Sequence, residues 1–229
     1  MKNKIGLILS HLHVRNHEKV KFDILSYVID HFRAFKKEFF IVVSGHGSLP
    51  PQCINDKADY LYWEPLISHN EIGRGHPKFC LKAYEFLKNA GIEKTVKLRW
   101  CDLISNEELL HQLLEDELLT ICEQTSISSR MIGDLLMLGS TEEAYNLWGK
   151  RKWDYKKSGL YNLYDNLELI AGEDVHNWIG GKYYLAHPEE IGWYTLEDNW
   201  NPENKCPIEP LEFKHLWGMS KGYTYYRGV

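Results

Sequence analysis

The feature that most limits the fold of this chain is the alternation of short apolar runs with amphipathic segments in its first hundred residues. Ile5–Leu9 and Phe39–Val43 have the composition of buried strands in a parallel sheet. Between them, apolar residues recur every three or four positions from Phe22 to Phe35, which is typical of a helix that covers a sheet. This stretch therefore predicts a strand–helix–strand unit.

The same alternation continues through the next sixty residues. Ala58–Trp63 is predicted to be a third strand, and Phe79–Ala90 a second helix that ends at Gly91. Thr95–Trp100 is predicted to be a fourth strand. Repeated strand–helix–strand connections imply right-handed crossovers, and hence an α/β fold with a mixed, mostly parallel sheet flanked by helices. Ligands of such sheets bind beyond the carboxyl ends of the strands.

The second half of the chain is less regular. Its predicted elements are a helix at Glu107–Leu114, a strand at Leu118–Cys122, a helix that Thr141 caps, and a helix at Tyr161–Ala171. Beyond Gly180, the many Pro, Gly, Asn and Trp residues predict an irregular segment. Since neither a repeat nor a low-complexity linker divides the sequence, residues 1–229 are expected to form one domain.

Composition excludes several classes of protein. A net charge of -5 and a pI of about 6.1 give no reason to expect a nucleic-acid partner. The five cysteines include no Cys-x-x-Cys pair, so they are expected to be reduced thiols. Neither a signal peptide nor an apolar run of about 20 residues is present. We therefore expect a cytoplasmic protein, with peripheral association at a membrane left open.

Polar residues that follow the predicted strands are the first candidates for chemistry: His11, Ser44 to His46, and Asp102. Asp102, at the end of the fourth strand, is a candidate ligand for Mg²⁺ or Mn²⁺. Arg99 beside it is suited to a diphosphate. The alternative interpretation is equally balanced: Asp102 caps a turn and Arg99 forms a structural ion pair with it.

Three further residues stand out. Asp134 interrupts an apolar run, which favours a general base with a raised pKa over the alternative that it caps the strand or accepts backbone hydrogen bonds. Arg74 lies between two glycines in a predicted loop before the second helix, where it could bind phosphate. His176 follows Glu173 and Asp174 and is a candidate for completing a metal site begun by Asp102.

Two motifs occur together in this sequence. One is Lys97-Leu98-Arg99-x-x-Asp102, and the other runs from Asp134 through Gly139-Ser140-Thr141 into a helix that ends in Leu147-Trp148. Together they resemble the WavE-type polysaccharide and lipopolysaccharide glycosyltransferases, which are GT-A-like enzymes. The sequence departs from the family pattern by one extra residue between Arg99 and Asp102, and by having no Asp-x-Asp pair.

The resemblance implies a GT-A-like domain with a nucleotide-sugar-binding half at 1–104 and an acceptor half at 105–229. It implies transfer of a sugar from a UDP-, GDP- or similar donor to a glycan hydroxyl. His11, Ser44, Arg74, Arg99 and Asp102 would bind the donor, and Asp134 would be the catalytic base. Mn²⁺ or Mg²⁺ would be bound by Asp102, with His176 as a second candidate ligand.

Two alternatives stay open at this point. One is a different nucleotide-using enzyme, such as a sugar-nucleotidyltransferase, which needs a glycine-rich loop with Lys or Arg right after the first strand; the stretch Ser10–Arg15 matches this poorly. A carbohydrate-binding or assembly module without catalysis would need no acids at strand ends, so Asp102 and Asp134 argue against it.

Overall fold

The computed structural model of the chain describes residues 4–15, 18–65, 72–115, 119–122, 136–150, 165–166, 183–186, 192–197 and 199–208. For residues 72–76, 119–122 and 183–186 it describes the backbone alone. The elements are, in chain order, β1 (Ile5–Val14), α1 (Val20–Arg33), β2 (Phe39–Gly47), α2 (Gln52–Lys57), β3 (Tyr60–Glu64), α3 (Ile72–Asn89), β4 (Lys94–Arg99), β5 (Asp102–Ile104), α4 (Glu107–Glu115), β6 (Leu119–Cys122), β7 (Leu136–Ser140), α5 (Thr141–Gly149), β8 (Tyr183–Ala186), β9 (Trp193–Thr195), β10 (Trp200–Asn201) and β11 (Cys206–Pro207).

Seven of these strands form one sheet in the order β3-β2-β1-β4-β7-β6-β8. β1 runs parallel to β2 and β4, and β2 runs parallel to β3. β7 is antiparallel to both of its neighbours, and β6 and β8 are parallel. The predicted α/β fold with a mixed, mostly parallel sheet is therefore confirmed. Two small antiparallel pairs, β5–β9 and β10–β11, lie outside this sheet.

Helices cover both faces of the sheet because strand side chains alternate between them. Leu7 and Leu9 belong to one core cluster, which also contains the buried residues of α1 and α4. Ile8 belongs to the cluster on the other face, together with the buried residues of α3 and α5. Among the described residues, none of the helices combines the length and the apolar composition that crossing a bilayer requires.

Several boundaries differ from the predicted ones. β1 continues beyond Leu9 to Val14, and β2 continues beyond Val43 to Gly47, because parallel pairing extends through their polar ends. α3 begins at Ile72, so most of the predicted loop around Arg74 is helical. The loop prediction relied on residues of low helix propensity. It was wrong because helix formation propagates backwards from the amphipathic segment that follows.

The predicted end of α3 at Gly91 is confirmed. Gly91 has φ +73° and donates its N–H to the carbonyl of Lys88, while Ile92 donates to the carbonyl of Leu87. These two bonds form a Schellman motif, in which a glycine at positive φ satisfies the last helical carbonyls. Of the predicted helix at Tyr161–Ala171, only Asp165 and Asn166 lie in the described part of the chain.

α5 begins one residue earlier than predicted, with Ser140 rather than Thr141 as its N-cap. The Ser140 side chain accepts a hydrogen bond of 3.3 Å from the backbone N–H of Glu143. The Thr141 hydroxyl instead lies 2.5 Å from the hydroxyl of Thr95, in the interior. An N-cap residue has an extended backbone and a side-chain oxygen that can accept a helical N–H. Ser140 meets both conditions, whereas the Thr141 hydroxyl is engaged by Thr95, a contact that depends on the tertiary structure.

Removing this cap should have a measurable cost. Ser140→Ala is expected to lower the free energy of unfolding by about 1 kcal/mol, because the Glu143 N–H loses its acceptor. Urea denaturation of the variant and the wild type measures the change. Ser140→Thr keeps a capping oxygen and should retain most of the stability. An equal loss in both variants would show that packing, and not capping, is responsible.

Candidate functional site

The sheet has a topological switch point between β1 and β4. From β1 the chain passes through α1 to β2 on one side, whereas β4 lies on the other side of β1. In open α/β sheets, the crevice outside the carboxyl ends of two such strands is where ligands bind. Ser10 lies opposite Arg99 at this point, and the Trp100 N–H donates to the Ser10 carbonyl at 2.9 Å. The two strands therefore stay joined up to the edge.

β1 carries a bulge at the same place. Leu9 pairs with Val43 and Leu12 pairs with Gly45, so two residues of β1, Ser10 and His11, oppose one of β2. His11 has φ +68°, a left-handed conformation that is unfavourable for a residue with a side chain. Bulges and strained residues of this kind occur often beside functional sites. Two predicted donor-binding residues, His11 and Ser44, therefore face each other across this bulge on the adjacent strands β1 and β2.

Ser44 and His46 are buried on the α3 side of β2. Ser44 is 0% exposed and His46 is 3% exposed. Within the described part of the chain, the Ser44 hydroxyl oxygen and the His46 Nδ1 have no hydrogen-bond partner. An unpartnered buried polar atom costs free energy, and in native proteins it commonly indicates a ligand or a water. The neighbourhood of Ser44 thus remains a candidate binding region.

His46 lies in a row of side chains across three strands, opposite His13 on β1 and Glu64 on β3. Its ring stacks on that of His13 at 4.5 Å and on that of Phe79 at 5.4 Å. Burial, followed by the charge of His13, lowers the pKa of His46 to about 4, so this imidazole is neutral at pH 7. The sequence pointed to His46 as a polar residue after the second strand, but not to its row with His13 and Glu64, because nothing in the local sequence shows which residues of separate strands become neighbours.

Arg99 and Asp102 form a two-point ion pair. Arg99 Nε donates to Asp102 Oδ2 at 3.2 Å, and Nη2 donates to Oδ1 at 3.0 Å. Asp102 is 0% exposed and begins β5, the strand that pairs with β9. The buried thiol of Cys101 also donates to Oδ1, at 3.7 Å. The pair therefore joins the end of the central strand β4 to the C-terminal part of the chain.

This arrangement bears on the predicted metal. The guanidinium of Arg99 takes both oxygens of Asp102, which leaves them poorly placed for a divalent cation. Among the residues that the structure describes, no three His, Cys, Asp or Glu side chains come together as metal ligands. The described residues alone do not fit Mn²⁺ or Mg²⁺, and the metal stays a prediction from the resemblance.

Three predicted site residues are not placed by the structure. Arg74 falls in the first turns of α3, where the backbone alone is described. Asp134 and His176 lie outside the described residues. Their roles in phosphate binding, base catalysis and metal binding stay predictions.

A cleft of about 510 Å³ lies at the carboxyl ends of β1 and β2. Its apolar wall includes Val14, Phe22 and Pro51, and its polar lining includes Arg15, Lys19, Asp23, Ser48 and Lys205. Cys53 also lines it and is exposed. This volume is in the range of pockets that bind small molecules. The sequence analysis missed the cleft because its walls come from four separate segments.

No protein-family model matches the sequence, and no curated protein matches it. Three solved structures are similar to the chain, each with a TM-score of 0.46. A cytidylyltransferase from Leptospira borgpetersenii serovar Hardjo-bovis (strain JB197) is 11% identical, over 82% of this chain and 76% of that one. The glycosyltransferase GlyE of Streptococcus pneumoniae TIGR4 is 9% identical, over 82% of this chain, which spans only 46% of that one. A glycosyltransferase involved in the glycosylation of the major capsid of PBCV-1 is 10% identical, over 88% of this chain and 97% of that one.

Proposed function

We propose that the chain is a glycosyltransferase that moves a sugar from a nucleotide-sugar donor to a hydroxyl of a glycan. One observation carries this proposal: Ser10, Ser44 and Arg99 lie towards the carboxyl ends of the neighbouring strands β1, β2 and β4, around the topological switch point, and a cleft of about 510 Å³ lies at the ends of β1 and β2. The resemblance of the Lys97–Asp102 and Asp134–Thr141 motifs to the WavE-type enzymes supports it further.

The donor is proposed to lie along this edge of the sheet. Val14, Phe22 and Pro51 offer an apolar surface for the nucleoside. His11 and Ser44 lie at the bulge on adjacent strands, outside the lining of the cleft, and stay candidates for contacts with the rest of the donor.

In the proposed reaction, the acceptor oxygen attacks the anomeric carbon of the donor sugar, and the bond from that carbon to the diphosphate oxygen breaks. Asp134 is the candidate that takes the acceptor proton if the configuration is inverted. Arg99, whose guanidinium Asp102 holds in place, and Arg74 are the candidates that neutralise the departing diphosphate.

Cys53 offers a direct test of donor binding, because its thiol is exposed and lines the cleft. We expect one UDP-, GDP- or CMP-sugar to bind in calorimetric titration and to slow alkylation of Cys53 at least tenfold. The titration is run with and without Mn²⁺, and Cys53→Ser assigns the alkylation signal. Release of the nucleotide (UDP, GDP or CMP, according to the donor) on adding a glycan acceptor then measures transfer.

Other outcomes separate the alternatives. Turnover of a nucleoside triphosphate with a sugar phosphate would replace the proposal by a sugar-nucleotidyltransferase. Binding of glycans without any nucleotide, and with Cys53 unprotected, would favour a carbohydrate-binding module.

A further inference from the structure

The cleft has a charge opposite to that of the protein as a whole. Among the described residues that line it, Arg15, Lys19 and Lys205 face one acid, Asp23, while the chain carries a net charge of -5. The three cations come from two separate segments: Arg15 and Lys19 lie in the connection from β1 to α1, and Lys205 lies in the β10–β11 turn. A local excess of positive charge around a cleft of about 510 Å³ is suited to a small anionic ligand.

Lys205 is held at the cleft by a well-defined turn. Asn201 Oδ1 accepts hydrogen bonds from the backbone N–H groups of Glu203, at 3.0 Å, and Asn204, at 3.1 Å. Trp200, at the base of the hairpin, contacts the Tyr27 ring of α1 edge-on at 5.5 Å. Lys205 itself has φ +51°, a conformation in which glycine would be more stable. The turn therefore carries a lysine despite a backbone cost, and directs it at α1.

The partner of Lys205 is weakly bound. Its ammonium lies 3.0 Å from Asp23 Oδ1, with side chains that are 66% and 37% exposed. Exposed ion pairs of this kind contribute little stability, because water competes for both charges. A phosphate group carries more charge and more acceptor oxygens than one carboxylate, so it can compete for the same ammonium.

We propose that Lys205 is a phosphate-binding residue of the cleft, ion-paired with Asp23 until a phosphate takes its place, and that it acts with Arg15 and Lys19. This inference rests on the proposed function, in which the ligand is a nucleoside diphosphate ester. The apolar wall of the cleft would hold the nucleoside, and the three cations would hold the phosphates.

The test measures affinity in four variants, with the tightest-binding nucleotide-sugar of the panel and with inorganic pyrophosphate as probes. Lys205→Gly is expected to weaken binding of both probes at least tenfold while leaving the unfolding transition unchanged or more stable, because glycine accepts φ +51°. Lys205→Arg should stay within threefold of the wild type. Asp23→Asn should strengthen binding two- to fivefold, because it removes the competing carboxylate. Lys82→Ala, which removes an exposed lysine of α3 paired with Glu85, is the control and should change nothing.

The outcomes distinguish this inference from the proposed function. If nucleotide-sugars bind normally to both Lys205→Gly and Asp23→Asn, the role of Lys205 is wrong and the transferase proposal stands. If none of the nucleotide-sugars binds but pyrophosphate binding follows the expected order of variants, the anion site is supported and the donor proposal fails.

Discussion

Arg99→Ala is expected to lower the free energy of unfolding by about 3–5 kcal/mol, because it leaves the carboxylate of Asp102 charged, buried and without its partner. Asp102 is 0% exposed, so in the wild type its carboxylate depends on the guanidinium and not on water for its partners. The loss should be much larger than for an exposed pair, and chemical denaturation of purified variants measures it.

Two comparisons make this expectation specific. Lys82→Ala breaks the Lys82–Glu85 pair, whose side chains are 49% and 41% exposed, and should cost at most about 0.5 kcal/mol. The double variant Arg99→Met/Asp102→Leu removes both charges and should recover part of the stability, because no buried charge is left unpaired. A loss in Arg99→Ala no larger than in Lys82→Ala would contradict the ion pair described here.

Gly47→Ala is expected to cost about 3 kcal/mol and to disturb the cleft, because position 47 has no room for a methyl group. Gly47 has φ +112°, and a Cβ there would lie 2.0 Å from the carbonyl oxygen of Val14. That oxygen accepts the N–H of Ser48, so the end of β1 and the start of the next loop would both have to move. Faster alkylation of Cys53 would report the change in the cleft.

Gly91→Ala is the matched control for this effect. Gly91 also has a positive φ, +73°, but a Cβ there would meet nothing within 4 Å. It should cost only about 1–2 kcal/mol, from the backbone conformation alone, and should leave Cys53 alkylation unchanged. Equal losses in the two variants would show that crowding at Val14 does not matter.

Much of the fold could be predicted from the sequence because period and burial are local properties. The apolar runs that begin at Ile5 and Phe39 predicted buried strands, and both form strands of the sheet. The apolar spacing of three and four residues from Phe22 predicted an amphipathic helix, and α1 packs its apolar face on that sheet. Boundaries were predicted less well where polar residues continue a strand, as in β1 and β2, since pairing with neighbours decides where a strand ends.

The candidate site was predictable only in part. The sequence pointed to Arg99 and Asp102 as a pair, because they lie three residues apart, but it left a functional and a structural interpretation equally balanced. The distances favour an ion pair with both carboxylate oxygens engaged. The sequence shows directly that Arg99 lies close to Asp102 along the chain. It does not show that Asp102 is buried, because that burial depends on distant segments such as β9, which pairs with β5.

The sequence by itself determined the α/β class, the first four strands, and the polar character of the residues at their carboxyl ends. Only the tertiary structure decided that His11 and Ser44 lie opposite each other at a bulge, and that Lys205 reaches Asp23 from 182 positions away. The physical reason is that hydrophobic periodicity fixes secondary structure locally, whereas strand register and the approach of distant segments depend on packing that no single segment encodes.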